Sequence, residues 1–360
     1  MEVLIKFPDE FPIQDLKDIG DYLQEQDVLV SDYPDPDLDV YFIGNHLAAR
    51  QVGDIQTVLL PDRNVVSRMQ QVARRLPVNP QCQTAAAILA FAQGLEIQIE
   101  PSIAFHEMAF NEGNEAAFEE LQWFRVADNG NIYDWIAIGL GELDELPSVG
   151  EPKQVEYMDL AKPLKRWRMN YIAALKIGEL ELNTKLNASQ KVTTLLEWMR
   201  DDFILAGPAA VLALLYFAPN SPPRKNLLKG LRSPDRQEAL AGARNAAWDV
   251  TYLSDFARRI NEQGESSRNR RYIFATFDKR LRDLARFVIG EYAEMDAEQS
   301  LAKSFERWWQ PKDAQRLAEL WASCIARTRP KEWWDQFKGR RDYKGELIAH
   351  GEAILLDWKA

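Results

Sequence analysis

Four acidic residues carry the chemistry available to this sequence. Asp62 lies in QTVLLPDRNVVSRM, Glu107 in IEPSIAFHEMAF, Asp249 in ARNAAWDVTYLSDFARR and Asp278 in RYIFATFDKRLRDLA. Two of them follow apolar, strand-like runs, and two fall on helix-like stretches. An open α/β sheet places its site at the carboxyl ends of its parallel strands. Several carboxylates converge only when a cation offsets their mutual repulsion. The set therefore points to metal-dependent catalysis, and its hard oxygen ligands favour Mg²⁺ or Mn²⁺. The three histidines (His46, His106 and His350) form no imidazole triad, and Cys82 and Cys324 lack a zinc-ligand spacing.

Each acid also has a structural reading. Asp62 and Asp278 stand where each would cap the helix that follows. Asp249 could pair with Arg244 or Arg259. Glu107 sits in the apolar stretch AFHEMAF, where an idle buried carboxylate would be costly, so it needs a cation or an ion-pair partner. Asp255 rivals Asp249, because six positions along one helix leave only one of the two facing a given site. The small Ala246 and Ala247 favour Asp249, since they permit close approach of the helix. His106 does not share a helix face with Glu107.

The elements that must hold these residues follow from periodicity. IQTVLL, LEIQIE and YIFATF read as strands, and NVVSRMQQVARRL, QTAAAILAFAQG and DKRLRDLARFVIG as helices. Gly94 is placed as the glycine ending its helix, and Ser102 as an N-cap. Strands alternating with helices predict βαβ units and a parallel sheet, hence an α/β fold. Residues 1–55 read as a small α/β segment with strands at MEVLIKF and DVYFIG. Residues 56–145 and 236–290 form the predicted core, 146–235 a helical insertion, and 291–360 a helical tail with Trp308-Trp309 and Trp333-Trp334. Those tryptophans are expected chiefly in the core, with base stacking as the other use.

The 360-residue chain is 46% apolar and carries a net charge of −11, which argues against indiscriminate polyanion binding. Basic stretches nevertheless occur at KPLKRWRMNYIAALK, PPRKNLLKGLRSPDR, RNRR and KGRRDYK. They are solvated faces or phosphate guides. No apolar run has the length of a membrane span, and no signal peptide is evident, so a cytoplasmic location is expected. The phosphate-binding glycine loops of nucleotide enzymes and the G-x-S-x-G elbow are missing from the sequence.

Taken in order, these motifs resemble the PIN-domain nuclease family. LLPDRNVVSRM resembles its opening strand and D-x-N turn, ATFDKRLRDLA its T-x-D element, PSIAFHEMAF the helix of its second acid, and AAWDVTYLSDFAR the helix of its third. The likeness covers less than half the chain. It departs from the small family members in the insertion and in the long interval from Asp249 to Asp278.

The resemblance implies a PIN-like α/β/α fold with a central parallel sheet, with an endoribonuclease hydrolysing phosphodiester bonds as its activity, in a bacterial toxin or defence setting. Asp62, Glu107, Asp249 and Asp278 would be catalytic metal ligands for Mg²⁺ or Mn²⁺. Asn64 and Thr276 would orient them. Arg63, Lys165, Arg166, Arg168 and Arg244, and also Arg232, would meet phosphate. Single-stranded RNA is the expected partner, DNA a second, with a homodimer or an inhibitory protein as further associations. The alternatives are a catalytically inactive interaction module on the same fold and a phosphoesterase of small substrates.

Overall fold

A computed structural model describes residues 8–32, 39–220, 228–263, 269–293, 298–326 and 342–359. The expected strand at MEVLIKF, Trp333-Trp334 and parts of the basic stretches therefore lie outside the described residues. The chain divides into two compact units. The first comprises residues 1–163 and 256–289, the second residues 164–255 and 290–360.

The first unit holds the sheet. Its elements are α1 (Ile13–Gln26), β1 (Leu29–Ser31), α2 (Ile43–Gly53), β2 (Gln56–Pro61), α3 (Arg63–Ala73), α4 (Pro80–Gly94), β3 (Gln98–Ile99), α5 (Ser102–Glu112), α6 (Asn114–Asp128) and α7 (Ile132–Gly139). The end of α11 (Arg236–Gln263), β4 (Arg270–Ala275) and most of α12 (Lys279–Ala293) complete it. The strand order is β1-β4-β2-β3. β2 runs parallel to both β3 and β4, with Pro61 opposite Ala275. β1 is antiparallel to β4, so the sheet is mixed where an all-parallel one was expected.

DVYFIG is not a strand. Residues 39–42 form a turn leading into α2, and the edge strand is the short LVS segment upstream. Tyr41 explains the exchange. Its hydroxyl accepts from Leu29 N–H at 2.9 Å and donates to Leu29 C=O at 3.3 Å, so a side chain satisfies strand groups that DVYFIG would otherwise have had to pair. Burial pushes the Tyr41 hydroxyl up to about 12.

The core is built around α4, which is buried on nearly every face and packs on α1, α3 and α7. A run of small residues, Ala85 to Ala87, lets neighbouring helices approach it. Gly94 belongs to this packing: it is the last helical residue, and a Cβ there would come 2.6 Å from the Leu16 side chain. The left-handed position expected at Gly94 falls instead on Glu96, at φ 53°. Ser102 is the first helical residue of α5 and not its cap, and Glu100 accepts its N–H at 3.1 Å.

The second unit is helical, with α8 (Lys165–Leu182), α9 (Ala188–Asp201), α10 (Gly207–Phe217), the first part of α11, α13 (Glu298–Glu306), α14 (Pro311–Ala326) and α15 (Tyr343–Asp357). Asn187 and Gln190 close a reciprocal cap at the start of α9. Trp309 is 2% exposed and donates its indole N–H to Leu214 C=O at 3.1 Å, which makes it core. Gly242 lies where α11 meets Lys229, and a Cβ there would sit 1.8 Å from a backbone carbonyl oxygen. Alanine gains about 1 kcal/mol over glycine in a helix. Displacing backbone costs about 1–3 kcal/mol. Gly242→Ala is therefore expected to be net destabilising, read as a lower urea midpoint. An unchanged or higher midpoint would show that the Lys229 turn yields freely.

Candidate functional site

The strand order creates a reversal. From β2 the chain steps outward to β3, then returns to the other side of β2 as β4. The carboxyl ends of β2 and β4 flank that reversal, which is where open α/β sheets leave a crevice. Asp62 follows β2 and Thr276 follows β4, with Asp278 two residues further on.

Asp62 is 3% exposed and is held from three directions. Its backbone N–H donates to Ala275 C=O across the strand ends at 2.9 Å. Its Oδ1 accepts from Val65 N–H at 2.9 Å, so the residue caps α3. Its Oδ2 accepts the Thr276 hydroxyl at 2.5 Å. That hydroxyl oxygen in turn accepts Asp278 N–H at 3.0 Å, tying the two acids through one fully buried threonine. Asp278 accepts from Arg280 N–H at 2.8 Å and Leu281 N–H at 3.2 Å, and so caps α12. The capping and site readings of both acids are thus compatible. Each carboxylate sits at a helix N-terminus, whose dipole favours negative charge.

Burial pushes the Asp62 carboxyl up to about 6, against the bonds from Thr276 and the backbone, and the Asp278 charge pushes the same way. The two acids are therefore electrostatically coupled. Asp278 and Asn64 are exposed, while Thr276 is fully enclosed.

Glu107 is 9% exposed on α5, in the same unit. Because α5 follows β3, and β3 runs parallel to β2, α5 begins at the same edge of the sheet as Asp62. Glu107 lies about 7 Å along its axis. Its neighbour His106 binds Leu160 C=O through Nδ1 at 2.8 Å, a structural use. His46 is likewise bound, to Val40 C=O at 2.8 Å, and burial lowers its pKa.

Most of the other predicted residues lie in the second unit. Asp249 lies in the second unit, half-buried on α11, with Asn245 Nδ2 3.4 Å from its Oδ2. Its rival Asp255 is buried and paired with Arg166 at 2.9 Å. Arg168 pairs with Asp342 at 2.6 Å, Arg244 with Glu352 at 3.2 Å, and Arg232 with Glu181 at 2.9 Å. Lys165 is exposed on α8. In the first unit, Arg63 pairs with Glu112. Sequence reasoning missed Glu112, which lies 49 positions from Arg63 with no motif linking them.

Among the described residues, no three His, Cys, Asp or Glu side chains converge as a ready-made metal-binding group. Mg²⁺, however, keeps several waters and is commonly bound by one or two carboxylates. Asp62 and Asp278 suit that requirement in donor chemistry. No family model, curated protein or solved structure matches the chain. No described helix is long and apolar enough to cross a membrane.

Proposed function

We propose that the first unit is a PIN-like nuclease with an α/β/α arrangement, dependent on Mg²⁺ or Mn²⁺ and acting on single-stranded RNA. One observation carries the reading: Asp62 and Asp278 meet through Thr276 at the point where the strand order reverses. A buried carboxylate with a raised pKa beside a second acid is the kind of group that catalytic sites concentrate. A bound cation would polarise a phosphate oxygen and activate water. The chain's own residues do the rest. Thr276 fixes the Asp62 rotamer, and the free face of Asp278 offers oxygen ligands. The starts of α3 and α12 supply a positive potential for phosphate. Glu107 on α5, in the same unit, is the proposed further ligand.

The pairing of Arg166, Arg168 and Arg244 with carboxylates favours a second reading, a phosphoesterase of small substrates, since cations already neutralised track a polymer less well. Cleavage assays separate the two. Labelled single-stranded RNA, single-stranded DNA and a chromogenic phosphodiester are incubated with Mn²⁺, with Mg²⁺ and with chelator. The Asp62→Asn, Asp278→Asn double variant runs beside the wild type. Metal-dependent cutting of RNA that the variant loses is the expected result. Turnover of the small ester alone would establish the second reading. No turnover and no metal binding would leave a non-catalytic interaction module.

A further inference from the structure

Away from the acidic pair, a groove of about 580 Å³ lies between the end of α6, the start of α7 and residues 146–153. That volume is in the range of small-molecule sites. Its lining carries two cations, Arg125 and Lys153, and two anions, Asp134 and Glu151. None of the four takes part in an ion pair with any described residue, although both signs face one groove. Val126 and Trp135 give it an apolar side. Trp135 is 1% exposed, and its indole N–H has no hydrogen-bond partner. Gly130 allows that placement, because a Cβ there would come 2.6 Å from the indole nitrogen.

We infer that this groove binds a small zwitterion of the amino-acid type, with an anionic group, a cationic group and a partly apolar body. The anion is held by Arg125 and Lys153, where a guanidinium offers two parallel donors to a carboxylate. The cation is held by Asp134 and Glu151, and the body rests on Val126 and Val149. A purely anionic ligand would meet the two carboxylates, and a purely cationic one the two bases. The lining thus selects against both.

Calorimetric titration of the full chain with the free amino acids and a set of dipeptides tests this. At least one is expected to bind saturably at one site per chain. N-acetylation or amidation of that ligand should each weaken it about tenfold or more, as should Arg125→Ala and Asp134→Asn. Thermal melting confirms that both variants fold. Absence of saturable binding at millimolar concentration overturns the inference. So does binding that survives both blocked analogues or both folded variants. Because Asp62 and Asp278 are untouched in these variants, the result stands apart from the nuclease reading.

Discussion

Replacing Asp62 with asparagine is expected to raise the melting temperature at neutral pH while abolishing metal-dependent phosphodiester cleavage. The two effects share one cause. A carboxyl whose folded-state pKa exceeds its unfolded value binds its proton more tightly when the chain is folded. The stability this confers is complete below the ordinary value of 3.8 and is lost as the pH rises through about 6. At pH 7 the wild type therefore holds a desolvated anion at a cost of roughly 3 kcal/mol. An asparagine keeps the oxygen that accepts Val65 N–H, and its amide can donate to the Thr276 oxygen, so the local bonds survive without the charge. Some of the gain is lost to the reorganised Thr276 bond. A net increase of roughly 1–2 kcal/mol is expected, or about 3–6 °C for a unit of this size. The increase should disappear near pH 4. Melts in chelator across this pH range decide it: a variant less stable than the wild type at pH 7 would show that the Asp62 carboxylate stabilises the fold. A variant that still cleaves would remove Asp62 from the chemistry. Activity retained at the expense of stability is a recurrent trade in functional sites.

The sheet strands IQTVLL and YIFATF were legible because each is a continuous apolar run bounded by a polar or proline turn, the pattern of a strand buried on both faces. The order in which they pair was legible only as far as alternation with helices implies parallel neighbours. The antiparallel β1 was not, because three residues give no periodicity to read. DVYFIG misled for a physical reason: its apolar residues are spent on a turn and on Tyr41, whose hydroxyl reaches back to Leu29. Gly94 and Ser102 were assigned by local rules of helix termini. Tertiary packing against Leu16 and the carboxylate of Glu100 overrode those rules.

The strand-end positions of Asp62, Thr276 and Asp278 were legible in the sequence. Asp62, Thr276 and Asp278 are fixed to strand ends by sequence, so once β2 and β4 are neighbours the three must meet. The bases were less so. Their partners, Glu112, Asp255, Asp342 and Glu352, come from distant segments, and no local pattern shows that a guanidinium is already occupied. Asp249 falls on a helix shared between two units, a division set by contacts that the sequence does not display. The groove charges at Arg125, Asp134, Glu151 and Lys153 are individually ordinary, and they meet at one opening through the short connection from α6 to α7 together with the path of residues 146–153.

Mn²⁺ affinity should fall with acidity in a manner set by Asp62. A metal ligand must be deprotonated, so metal and proton compete for it. With the Asp62 carboxyl titrating at about 6, affinity is expected to be flat above pH 7 and to drop toward tenfold per pH unit below 6. Between pH 7 and pH 4 the loss is roughly 100-fold. Ordinary carboxylates would place the same fall two units lower, so the position of the bend identifies the buried acid as a ligand. Thr276→Val supplies the second arm. It deletes a bond that favours the ionised carboxylate and leaves Asp278 N–H without its acceptor. The bend should then move upward by about one pH unit, the equivalent of one charge-assisted hydrogen bond. Calorimetric titration with Mn²⁺ at several pH values reads both curves. An affinity that bends near pH 4, or a bend that Thr276→Val leaves in place, would assign the metal to other ligands. A bend near 6 that moves with Thr276 would tie cation, threonine and buried carboxylate into a single site at the reversal of the sheet.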